Sequence, residues 1–247
     1  MVSRPHREPS IPPEQEPAGF DRLAYEHLTE TDVERILQNV TAEPGLGAAD
    51  SEEEFRISIA GAQEKTALLR IGKQWLRPHD ATPTTHILKL PLGIVGGRQL
   101  DLSHSVENEW LCAQILAALG LPVAETEMAI FGQQKALVVE RFDRAWMDEG
   151  KWIARLPQED FCQMLGYPSD KKYEFNEIQV SHWHALATTR GVDEAWKAML
   201  AMVSRVDEAL TVVAAQLPAS FPAHVAETIF NGVRAQRDAF IAGAAAL

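Results

Sequence analysis

Ser58-Ile59-Ala60-Gly61-Ala62-Gln63-Glu64-Lys65-Thr66 is a short, polar, glycine-containing stretch set between two runs that read as β-strands. Upstream, Phe55, Ile57 and Ile59 alternate with Arg56 and Ser58, the period of a half-buried strand; downstream, Thr66 to Ile71 supplies a second apolar run. Strand, turn and returning strand make a hairpin lid. Small residues such as Ala60, Gly61 and Ala62 let backbone N–H groups approach anionic oxygens closely, and Lys65 adds a full positive charge. Taken alone, the stretch reads more readily as an ordinary hairpin turn, so its neighbours decide.

Composition bounds the answer. The chain has 247 residues, 46% of them apolar, enough to bury a sizeable core in one large or two small domains. No apolar run has the length of a membrane span, and Met1 to Pro17 is charged and proline-rich without the apolar centre of a signal peptide, so a cytoplasmic location and no membrane partner are expected. A formal net charge of −12 argues against broad affinity for nucleic acid. Cys112 and Cys162 sit in apolar surroundings without a Cys-x-x-Cys spacing and read as buried structural thiols.

Along the chain, residues 1–19 read as a disordered tail and 20–50 as a short helical lead-in, in which Thr31-Asp32-Val33-Glu34 has the form of a capping box. Residues 51–150 carry strand signals and one helix: a strand at His86-Ile87-Leu88-Lys89-Leu90, a helix through Trp110, Leu111, Ile115 and Leu119 with Ser103 or Ser105 as cap and Gly120 and Pro122 beyond it, and two strands meeting at Phe131-Gly132-Gln133. Residues 151–247 are alanine-rich and strand-poor. Val192, Trp196, Met199, Val203, Val206, Leu210, Val213 and Leu217 predict one long amphipathic helix, broken by Pro218 and Pro222 before a second through Val225, Ile229 and Val233.

A small-residue loop, a lysine in a following strand, a glutamate on the helix after that and an apolar strand running into a hinge are the ordered parts of a protein-kinase N-lobe. Here they are Ala60 to Lys65, Lys89, Glu109 and Glu140 to Phe142. Singly, each has a plainer reading: a lysine ending a strand in solvent, a surface helix glutamate, an exposed Glu140–Arg141 ion pair worth little.

Together with their context these residues resemble the HipA serine/threonine protein kinases, the toxins of bacterial type II toxin–antitoxin pairs associated with persistence. The resemblance rests on Arg56 to Arg70, on Pro83-Thr84-Thr85-His86-Ile87-Leu88-Lys89, on Ser105 to Glu109, on Val139-Glu140-Arg141-Phe142-Asp143-Arg144 and on Arg155 to Asp160, and covers about residues 51–174 and, more loosely, the terminal helices from about His182. It implies that Ala60, Gly61, Ala62, Gln63, Glu64 and Lys65 wrap ATP phosphates, that Lys89 pairs with them with Glu109 as its supporting ion-pair partner, and that Glu140 and Phe142 present backbone groups to adenine. Ser58 corresponds to the serine whose autophosphorylation inactivates the family, where added negative charge repels ATP. The resemblance further implies glutamyl-tRNA synthetase as substrate and a helix-turn-helix antitoxin, HipB, through which alone DNA would be met.

One part of the pattern is missing. Protein kinases use a catalytic-loop Asp followed five residues later by a metal-binding Asn, and a further metal-binding Asp. No Asp in this sequence has an Asn at that spacing; Asp170 and Asn176 are one residue too far apart, and Asp160-Phe161 is followed by Cys162 where the metal-binding motif has Gly. No catalytic residue and no Mg²⁺ site is recognisable, and against the family pattern most of the N-terminal subdomain is expected to be missing. The expected fold is therefore α+β: a kinase-like N-lobe, antiparallel sheet plus one helix, followed by a truncated all-α C-lobe. The expected function is a degenerate, inactive HipA-like kinase in which ATP binding is the open question. The alternatives are a non-catalytic module that binds a HipB-like antitoxin or nucleotide, and an enzyme using Asp170, Glu174 and Asn176. His182-Trp183-His184, without a third ligand nearby, reads as a helix start rather than a metal site.

Overall fold

A computed structural model describes residues 21–41, 63–95, 100–158, 178–189 and 193–247. The strand Phe55 to Ile59, the loop residues Ser58, Ala60, Gly61 and Ala62, and Asp160, Cys162, Asp170, Glu174 and Asn176 lie outside the described residues.

The apolar runs form a six-stranded antiparallel sheet. Its strands are β1 (Tyr25–His27), β2 (Lys65–Ile71), β3 (Gln74–Pro78), β4 (His86–Lys89), β7 (Thr126–Phe131) and β8 (Gln134–Glu140), in the order β1-β3-β2-β4-β8-β7. Period-two alternation gives this sheet two faces. On one face Leu68, Leu88, Ala136 and Val138 pack against Val33, Ile36 and Leu37 of helix α1 (Glu30–Thr41). On the other, Leu69 and Leu76 pack with Ile153 of the hairpin β9 (Arg144–Met147) and β10 (Trp152–Arg155). That hairpin runs across residue 150, where the sequence reading places a domain boundary. A further small hairpin, β5 (Gly93–Val95) with β6 (Leu100–Leu102), precedes helix α2 (Ser105–Ala118).

Among the described residues four helices follow, α3 (Val180–Thr189), α4 (Asp193–Ser204), α5 (Val206–Gln216) and α6 (Ala223–Ala245); helix α2 lies against β7 and β8 and also against α5 and α6, while α3 and α4 pack on each other and on α6. Leu111 and Ile115 of α2 share a core with Val206, Leu210 and Val213 of α5 and Ala226 of α6. The architecture is thus the expected one, a mixed α/β fold with an antiparallel sheet, a single bridging helix and a helical C-terminal part. Among the described residues no helix is long and apolar enough to cross a membrane.

Four local expectations are corrected. The N-terminal cap of α1 is two residues earlier than Thr31: Thr29 N–H donates to Asp32 Oδ2 (3.0 Å) and Asp32 N–H to Thr29 Oγ1 (3.2 Å), a reciprocal box with Asp in place of Glu. Neither Ser103 nor Ser105 caps α2; His104 is the cap residue, and Ser105 Oγ instead accepts the Leu92 N–H at 3.0 Å. Cys112 is exposed, because it stands one position off the buried stripe of Leu111 and Ile115. The single long helix is two helices, interrupted at Arg205; Ser204 Oγ bonds back to the Ala201 carbonyl at 2.8 Å, a local competitor of the helical ladder. The apolar stripe runs on through the break, but α4 packs on α3 and α6 while α5 packs on α2 and α6.

Candidate nucleotide site

Lys89 ends β4, and the register places it directly opposite Lys65 of β2 on one side and Leu137 of β8 on the other. Directly opposed residues of an antiparallel pair project to the same face, so the two lysines stand side by side, an arrangement that costs energy unless negative charge is brought to it. Part of that charge comes from α2: Lys89 Nζ donates to Glu109 Oε1 in a short ion pair between half-buried groups. Residues twenty positions apart and assigned from pattern alone thus meet. Two ammonium groups and one carboxylate leave an excess positive charge on this face, suited to an anion.

The remaining loop residues are anchored beside it. Gln63 Nε2 donates to the Leu90 carbonyl (2.8 Å), and Leu90 N–H to the Glu64 carbonyl (2.9 Å), so the end of the loop is stitched to the residue after Lys89. The Glu64 side chain is exposed.

At the far end of β8 the hinge residues are held by their backbone. Glu140 N–H donates to Glu125 O and Arg141 N–H to Thr85 O, both at 2.9 Å, which leaves Phe142 projecting, 77% exposed. The Glu140 side chain faces His86, its register partner, on the opposite face of the sheet from Lys89, and contributes there to a small polar recess with Arg70, Glu125 and Glu127. Its carboxylate therefore lies away from the Lys89 face, and its N–H is already bonded to Glu125. Arg141 does not pair with Glu140. It grips Asp143 with two bonds (2.9 and 2.8 Å), and Arg144 donates to the Asp143 carbonyl (2.8 Å) and to Thr84 O (2.7 Å). These bonds, led by Arg141, hold the Asp143 carboxyl below the usual range against the opposing effect of burial.

Two further features escaped sequence reading. Glu107, in the first turn of α2, is buried and accepts from Lys135 Nζ of β8 at 2.5 Å, with His104 Nδ1 3.7 Å away. Burial pushes its carboxyl up, but the Lys135 bond and charge prevail and hold it below its ordinary value. His86 is pushed down to about 4, by burial first and the Arg70 guanidinium second. No signal in the sequence marked Glu107 as buried, since an acidic first turn is what any solvated helix shows.

Neither histidine of the His182/His184 pair joins a metal cluster: His182 Nδ1 accepts the Gln179 N–H (3.2 Å) at the start of α3, and His184 stacks edge-on against Trp196. Among the described residues no group of three or more His, Cys, Asp or Glu side chains is gathered to hold a metal ion.

A family model described as the HipA-like C-terminal domain matches residues 57–209. A protein of Sinorhizobium fredii named "Putative kinase Y4mE" is 36% identical over 163 residues, 66% of this chain and 37% of that protein. The serine/threonine-protein kinase toxin HipA of Shewanella oneidensis is 36% identical over 121 residues, 49% of this chain and 26% of the toxin. The matched regions thus span roughly a third and a quarter of these relatives' lengths. A solved complex of HipA, HipB and its operator DNA from Shewanella oneidensis MR-1 contains a similar fold, with a TM-score of 0.65 at 18% identity over 92% of this chain and 74% of that one.

Proposed function

The chain belongs to the family of HipA-like C-terminal domains, and on that footing we propose that it grips ATP as a serine/threonine kinase of that family does but transfers phosphate poorly or not at all. The observation that carries the grip is the Lys89–Glu109 pair with Lys65 alongside: an ion pair between a strand lysine and a helix glutamate is the arrangement that positions nucleotide phosphates in protein kinases. The loss of transfer is supported by the sequence, in which no Asp is followed five residues later by Asn. Phosphoryl transfer is nearly all positioning and electrostatics around the metal and the γ-phosphate, so without those ligands the rate falls by orders of magnitude.

The test is thermal unfolding of the full chain with ATP, with and without Mg²⁺, followed by intact mass measurement. Saturating ATP raises the midpoint, and Lys89→Met abolishes the rise. No rise at millimolar ATP overturns the grip; an added phosphate, on Ser58 or elsewhere, overturns the loss of transfer. A second reading, a binding module for a HipB-like helix-turn-helix antitoxin, is favoured by the similarity of 92% of the chain to a HipA found in complex with HipB, and by a net charge of −12 that suits a basic partner. Stable co-purification with the protein encoded next to it, unaffected by Lys89→Met, distinguishes that role from nucleotide binding.

A further inference from the structure

Helix α2 is tied to the sheet on two sides. Ser105 and Glu109, four residues apart, share one flank and reach the chain around the end of β4, Ser105 to the Leu92 N–H and Glu109 to Lys89. Glu107 lies two residues from each of them, about 200° around the axis, and leaves the helix on the other flank to meet Lys135 of β8. Lys135 projects to the same face of the sheet as Lys89, since Leu137, opposite Lys89, is two residues further along β8. With struts on one flank alone, only the apolar packing of Leu111 and Ile115 opposes a roll of the helix about its axis, and such a roll is what would draw Glu109 off Lys89. Struts on both flanks oppose it.

The Glu107 side chain is only 5% exposed, and its second oxygen, Oε2, has no hydrogen-bond partner among the described residues. Burying a carboxylate with half its bonding capacity unused is costly. A helix N-terminus favours an acidic residue but does not require a buried one, and an apolar residue at this place would extend the stripe of Leu111 and Ile115 towards α5 and α6. Its bond to β8 is the part of its surroundings that an apolar side chain could not supply.

We propose that Glu107, through Lys135, is a positioning residue that fixes the roll of α2 and so keeps Glu109 on Lys89. The proposal rests on the nucleotide-gripping reading only for its functional consequence; the structural claim stands apart from it. Two measurements on the full chain test it, for wild type and the variants Glu107→Gln, Lys135→Gln, Lys135→Arg, Glu109→Gln and the double Glu107→Gln/Glu109→Gln. The first is hydrogen exchange of the α2 amides. Glu107→Gln and Lys135→Gln speed exchange in the first two turns of α2 by about tenfold while α6 is unchanged, and Lys135→Arg restores the wild-type rate. The second is ATP affinity. Each Gln variant weakens it by about tenfold and the double variant is little worse than Glu109→Gln, because both changes break the same arrangement. Unchanged α2 exchange in both Gln variants, or losses of affinity that multiply in the double, overturns the proposal. Should Glu107→Gln fail to fold, Lys135→Gln, a change at a 40% exposed side chain, decides. Should wild type not bind ATP, the nucleotide reading falls, and the exchange measurement still judges the roll-lock.

Discussion

His86 shows how one residue's surroundings set its chemistry. It lies next to the hinge strand, edge-on to Trp75 at 5.6 Å between ring centroids, with Thr85 Oγ1 2.9 Å from its Nδ1 and Arg70 nearby. Burial and the guanidinium disfavour the imidazolium, which the Glu127 carboxylate only partly offsets, so the folded value lies at about 4 against about 6.5 in the unfolded chain. The sign follows from proton counting. Above pH 6.5 neither state carries the proton; between 6.5 and 4 the unfolded chain takes it up and the folded chain does not, so acid favours unfolding. Stability from this residue is complete above about pH 6.5 and is lost as pH falls towards 4. Urea unfolding at pH 7, 5.5 and 4.5 should show the advantage of wild type over His86→Gln shrinking with acid; an advantage that grows would contradict the assignment. Asp143 has the opposite character, a buried carboxylate held ionised by Arg141 and Arg144. It stabilises the start of the β9–β10 hairpin, whose Leu156 N–H also bonds the Asp143 carbonyl at 3.0 Å.

Among the elements, α1 and the β7–β8 turn depend on one another. The turn's exposed N–H groups are taken by α1 carboxylates, Gly132 N–H by Glu30 (3.2 Å) and Gln133 N–H by Glu34 (2.8 Å). Gly132 has φ +57°, a conformation that favours glycine, and a Cβ there would push aside the Glu34 carboxylate that bonds the turn. The cap that starts α1 therefore supports the turn as well. Thr29→Ala removes the hydroxyl that accepts the Asp32 N–H and should cost about 1 kcal/mol, measurable in urea, with faster amide exchange at Gly132 and Gln133 as the distant sign of a frayed first turn. Loss of stability without that distant change would show that the turn holds itself. The turn, β4, β8 and α2 were legible in the sequence because local periodicity and glycine placement encode them. The cap position and the break at Arg205 were not. Thr29-x-x-Asp32 and Thr31-x-x-Glu34 are near-equivalent patterns two residues apart. A continuous 4-and-3 stripe records that one side of a segment is buried, without recording that beyond α6 its two halves meet different partners, α3 and α2. Lys89 and Glu109 were found from order and spacing, whereas Glu107 with Lys135 and Arg141 with Asp143 required knowing which polar groups the fold takes out of water.

For the whole molecule, α2 is the member common to both parts. It carries Glu109 to the sheet, and its Leu111 and Ile115 form a core with α5 and α6 that is separate from the α1 core on the sheet's far face. Further links run from its N-terminal end: His104 stacks edge-on against His224 in the first turn of α6, and Trp110 lies 5.8 Å from Phe221 between ring centroids. If the sheet and the C-terminal helices folded independently, damage on the helical side of α2 would leave the lysine face intact. Because a single helix supplies both faces, we expect the reverse. Leu111 is fully buried, and Leu111→Ala should cost about 2–5 kcal/mol through lost burial and the cavity left behind. Far-ultraviolet circular dichroism and tryptophan fluorescence should report one coincident, lowered transition, since unfolding is cooperative where both parts share an element. The thermal response to ATP should weaken in step, although Leu111 stands on the stripe facing α5 and α6 rather than the one facing Lys89. Two separated transitions, with an undiminished ATP response in the sheet, would show instead that the Lys89–Glu109 face is held by the sheet alone.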